Sequence, residues 1–128
     1  MPPTVLDTAP LDALADDLGS RLAVASMLST FCDSLHVLRE TASGALRRSD
    51  LPALRQALRD LSASAGMFGA EHLAALAREL AERVGGPDEV TDESLRVLER
   101  ECVAVRQAVR RYLGAAAYGG VPSPRDGG

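Results

Sequence analysis

The chain has 128 residues, a net charge of −4, 46% hydrophobic residues and only 3% aromatic residues. That length suits a single domain with its own core. The acidic balance argues against nucleic acid as the main partner, since neutralising phosphates takes a basic surface, and the scarcity of aromatic residues argues against a β-sandwich or OB barrel and for helices built from Leu and Ala.

Punctuation divides the chain into five helices. Thr8-Ala9-Pro10 opens a short first helix through Leu11, Leu14 and Leu18, with Pro10 in its first turn and Gly19 as its stop. Ser20 caps a long second helix whose apolar positions are Val24, Leu28, Phe31, Leu35, Leu38, Ala42 and Leu46, ending at Arg47-Arg48. Asp50 and Pro52 start a third helix that buries Leu54, Leu58, Leu61, Ala65 and Phe68, broken at Gly69. A fourth carries Leu73, Leu76, Ala77, Leu80 and Val84 and runs into the loop Gly85-Gly86-Pro87-Asp88. Thr91-Asp92-Glu93 begins the fifth, with Leu95, Leu98, Cys102, Val105, Val109 and Tyr112 on one face. The pattern fades from Gly114, and residues 117–128 read as a flexible tail to a domain spanning 1–116. Short connections force antiparallel neighbours, so the expected fold is all-α, an up-down-up-down four-helix bundle with a short extra N-terminal helix.

Cys32 and Cys102 match no metal-ligand spacing and read as small buried hydrophobes. No apolar run approaches the roughly 20 residues that span a bilayer. The opening Met1-Pro2-Pro3-Thr4 has neither the basic nor the apolar part of a signal peptide. A cytoplasmic protein without membrane contact is expected. Carboxylates are scattered over solvated faces, many with Arg at helical spacing, as Glu79 with Arg83. No Ser–His–acid arrangement is visible, and no metal or cofactor is expected.

The third helix has an unusual outer face. Opposite its apolar stripe lie Pro52, Arg55, Gln56, Arg59, Ser62, Ala63 and Gly66, which start with two arginines and then turn small. Gly66 costs about 1 kcal/mol of helix stability relative to Ala. Small residues let another surface approach the backbone, so Arg55, Gln56, Arg59, Ser62, Ala63 and Gly66 read as a docking face. Arg78 and Arg100 read as solvent-face residues outside it.

The segment from Asp50 resembles the histidine-containing phosphotransfer (HPt) domains of bacterial phosphorelays. Their pattern is His-x-Leu-Lys-Gly-Ser-x-x-x-x-Gly-Ala on a helix, after Asp-x-x-x-Leu-x-x-x-Ala. Here Asp50, Leu54 and Leu58 precede Arg59-Asp60-Leu61-Ser62-Ala63-Ser64-Ala65-Gly66-Met67-Phe68-Gly69-Ala70, and Leu61, Ser64, Gly69 and Ala70 match in register. The likeness extends from the Leu11–Gly19 helix to the end of the fifth near Leu113. It implies the four-helix fold and a receiver domain packing at Ala63 and Gly66.

The departures are chemical. The phosphoacceptor position holds Arg59, the family Lys is Ser62 and the family Gly is Ala63. Phosphotransfer needs a nucleophilic imidazole nitrogen, and a guanidinium stays protonated with no lone pair to offer. The resemblance therefore implies a non-catalytic signalling protein, not an enzyme. It would bind the receiver domain of a response regulator or hybrid histidine kinase and modulate, in the inhibitory direction, a phosphorelay. Two alternatives stand beside it: phosphotransfer through His36 or His72, and a helical scaffold that forms a homodimer through its smooth face.

Overall fold

A computed structural model describes residues 5–118. Its five helices are α1 (Ala9–Leu18), α2 (Arg21–Arg47), α3 (Leu51–Met67), α4 (Glu71–Arg83) and α5 (Asp92–Tyr118), and no strand occurs among the described residues. α2 packs on α3 and α5, and α4 packs on α3 and α5, which closes a four-helix ring; α1 lies against α2. The long helix α5 continues past Gly114 to Tyr118. From residue 119 onward the expected tail lies outside the described residues.

Local chemistry accounts for the helix starts. Ser20 Oγ accepts from the Ala23 amide at 3.1 Å, and Asp50 Oδ1 from the Ala53 amide at 3.2 Å. Thr91 and Ser94 cap α5 reciprocally, each hydroxyl accepting from the other residue's amide at 3.2 Å. At α1 the capping side chain is Asp7, whose Oδ1 accepts from the Ala9 amide at 3.1 Å; Thr8 makes no cap bond. Gly19 ends α1 in the left-handed conformation.

The stripes read from spacing form the core. Leu28, Leu35, Leu58, Leu61, Leu73, Leu98 and Val105 are fully buried, and Phe31 meets Phe68 at 4.8 Å between ring centroids. Leu18 does not join them: 48% of it is exposed at the last turn of α1, where the chain already swings into Gly19. Residues 5–7, unassigned by periodicity, seal one end of the bundle. Leu6 is buried, and the Asp7 amide donates to the Gly69 carbonyl at 2.8 Å. Gly69 has φ +86°, and a β-carbon there would lie 2.3 Å from the Asp7 carbonyl oxygen. Only glycine permits both that backbone angle and that approach. The turn from α3 into α4 is thereby fixed from outside.

Candidate functional site

α3 has neighbours on two sides, and this sets which of its residues meet solvent. Arg55 Nη2 donates to the Val84 carbonyl at 3.0 Å, at the C-terminus of α4. Ser62 Oγ donates to the Ala74 carbonyl at 2.7 Å. A β-carbon on Gly66 would meet the Ala74 β-carbon at 3.8 Å, an ordinary contact. Arg55, Ser62 and Gly66 therefore line the α3–α4 seam and are only partly exposed. The close approach that Ser62 and Gly66 allow is the approach of α4, whose facing residues Ala74, Ala77 and Ala81 are equally small and buried. Half of the residues expected on the docking face thus serve the helix seam and present only part of their surface outward. The three residues lie about 80–120° from the centre of the Leu stripe, on its flank rather than at its back, and the second packed helix widens the buried arc to reach them.

Three expected residues do face solvent: Gln56, Arg59 and Ala63. With Pro52, Asp60 and Met67 they form the outward ridge of α3. Met67, not singled out from the sequence, is 71% exposed. Its signal was present in the spacing, since it follows Arg59 and Ala63 by eight and four residues. Gln56 Nε2 donates to Asp60 Oδ1 at 2.8 Å, which engages that carboxylate within the ridge. The Arg59 side chain makes no hydrogen bond or ion pair among the described residues, like those of the exposed Arg47, Arg48 and Arg78 and unlike those of Arg39, Arg55, Arg83, Arg96 and Arg100. The result is an exposed cation between a methionine, an alanine and a glutamine whose amide is occupied.

The two histidines lie apart from this ridge. His36 is exposed on α2, with Nδ1 3.2 Å from Arg39 Nη2. His72, in the first turn of α4, places Nε2 3.9 Å from Glu101 Oε1 on α5; their side chains are 44% and 16% exposed. The second oxygen of Glu101 is buried with no hydrogen-bond partner. Glu79 and Arg83 do not pair; Arg83 Nε donates to the Asp88 carbonyl at 2.8 Å. Cys102 is buried and Cys32 half-buried, both unpaired. Burial pushes the Cys102 thiol up to about 12 and raises Cys32 as well. Neither environment favours a thiolate nucleophile. Among the described residues no cluster of three or more His, Cys, Asp or Glu side chains is placed to hold a metal ion. No helix there is long and apolar enough to cross a membrane.

No curated protein and no solved structure matches the chain. An Hpt domain family model matches residues 26–108, from the first turns of α2 to the second half of α5. That span covers well over half the chain and includes the whole of the α3 ridge and its seam with α4, and the chain belongs to the Hpt domain family.

Proposed function

We propose that this Hpt domain is a cytoplasmic docking module of a two-component phosphorelay that covers a receiver domain's active face without taking its phosphoryl group. The observation that carries this reading is the ridge itself, where Arg59 stands exposed and unpartnered; the motif resemblance puts Arg59 at the family's acceptor position. A guanidinium cannot attack phosphorus, but it forms charge-assisted, bidentate bonds to carboxylates and phosphates. A receiver's acidic active site offers such groups. Ala63 keeps the surface beside Arg59 low, and Met67 adds an apolar contact further along the ridge. Occupancy of that face would withhold the receiver from its other partners, which favours inhibition.

The test uses the receiver domains of the same genome, expressed singly and titrated against the full chain by calorimetry. At least one should bind. Ala63→Trp should abolish that binding with the fold intact by circular dichroism. Arg59→Glu should weaken it, with a loss that shrinks as salt rises, because exposed charges are screened beyond about 8 Å at physiological ionic strength. Arg100→Glu should leave it unchanged. Incubation of the complex with radiolabelled phospho-receiver and Mg²⁺ should leave no stable label on this chain. Acid-labile label on His36 or His72 would replace the docking reading with phosphotransfer through that histidine.

A further inference from the structure

The α3–α4 contacts fix a register that brings a second arginine to the ridge. Arg55 lies opposite Val84, and Ser62 opposite Ala74. Between these two points Arg59 falls level with Arg78. The helical phase agrees: at 100° per residue, Arg59 is rotated about 60° outward from Ser62, and Arg78 about 40° outward from Ala74. Each arginine therefore flanks the outer edge of the same seam, one on each helix, and both are exposed. Neither makes a hydrogen bond or ion pair among the described residues. Among the described residues no carboxylate pairs with either. Asp60 lies with its donor Gln56 on the side of α3 away from α4, Glu79 falls on the α5 side of α4, and Glu82, one turn from Arg78, forms no pair with it. Two unpaired guanidinium groups on facing edges of one seam concentrate positive charge there, which draws an anion between them. The anion that best matches two planar donor forks has several oxygens and more than one negative charge.

We propose that Arg59 and Arg78 form a two-guanidinium clamp for a phosphoryl group, carried there by the phosphorylated aspartate of a docked receiver. This rests on the docking reading and adds a preference: the phosphorylated receiver binds more tightly than the unphosphorylated one. It also changes the role of Arg78, which spacing alone placed on an unrelated solvent face. The clamp moves no phosphoryl group and needs no nucleophile.

The first arm of the test is a titration of the full chain with inorganic phosphate against chloride at matched ionic strength, read on the Nε–Hε resonances of Arg59 and Arg78. Both should shift with one shared midpoint. Arg59→Gln or Arg78→Gln should each raise that midpoint about fivefold, the upper end for an exposed charge pair, and Arg100→Gln should not move it. Absence of a saturable shift at Arg78, or an unchanged midpoint in Arg78→Gln, overturns the clamp. The second arm compares receiver binding with and without beryllofluoride, a mimic of the aspartyl phosphate. Tighter binding with beryllofluoride that is lost in Arg78→Gln supports the clamp. A receiver that Ala63→Trp displaces but that ignores both beryllofluoride and Arg78→Gln overturns the clamp and leaves the docking reading standing. A chain that binds no receiver in either state overturns the docking reading, and the proposed source of the phosphoryl group with it.

Discussion

Leu58→Ala and Leu61→Ala should each cost about 2–5 kcal/mol, because both side chains are fully buried where α3 meets its neighbours. Arg59→Ala, one position from Leu58, should change stability by no more than about 0.5 kcal/mol, since its side chain is exposed and unpartnered. Urea melts of the three variants check the phase of α3; equal losses at Leu58 and Arg59 would mean that the helix is rotated. Ser62→Ala lies between these cases. It removes a hydroxyl that ties α3 to the Ala74 carbonyl, and should cost about 0.5–1.5 kcal/mol. A docking-face residue would cost nothing, so this melt separates the seam role of Ser62 from the surface role its small size suggested.

At the scale of elements, two glycines give opposite expectations. Gly69→Ala should destabilise by at least about 1–3 kcal/mol for the positive φ alone, with the contact on the Asp7 carbonyl added. Gly114→Ala sits within α5 with open space around the new β-carbon, and should stabilise by up to about 1 kcal/mol. Thermal unfolding of both variants reads the two signs. The helices themselves were legible because each carries its own period and most carry their own cap: Ser20, Asp50 and the Leu stripes act within one turn of where they stand. Asp7 and Leu6 were not legible, because their partners are Gly69 and the bundle end, more than sixty residues away. Which of the candidate residues face solvent was half legible for the same reason. Gln56, Arg59 and Ala63 lie far enough from the Leu stripe to be outside any packing arrangement. Arg55, Ser62 and Gly66 lie on its flank, and whether a flank is wet or packed depends on how many helices touch it. The opposition of Arg59 and Arg78 depends on inter-helix register, which no single-helix pattern contains.

For the whole molecule, stability should fall in alkali. The Cys102 thiol is held at about 12 by burial, against an ordinary value of 9.0 in the unfolded chain. Between those two values the folded state holds a proton that the unfolded state has released, so each rise in pH favours unfolding. The stabilisation is complete below about pH 9 and is lost towards pH 12, at up to about 1.4 kcal/mol per pH unit for this one group. Cys32, raised by burial, and Tyr112, raised by burial and by its hydrogen bond to Asp12, act in the same direction. Urea midpoints measured from pH 8 to 11 should decline, and Cys102→Val should flatten part of the decline. A midpoint that rises over that range would show that the thiol is not buried as described.

The bundle presents one helix whose outward ridge combines an unengaged cation, a flat alanine and an exposed methionine, and the measurement that bears on it most directly is a ¹⁵N chemical-shift titration of the full chain with a receiver domain that binds it. The amides and side chains of Gln56, Arg59, Ala63 and Met67 should shift first and furthest, followed by Arg78 across the seam, while the outer face of α5 around Arg96 and Arg100 stays unchanged. Shifts centred on α5 or on the α1–α2 turn, with the α3 ridge silent at saturation, would contradict the account.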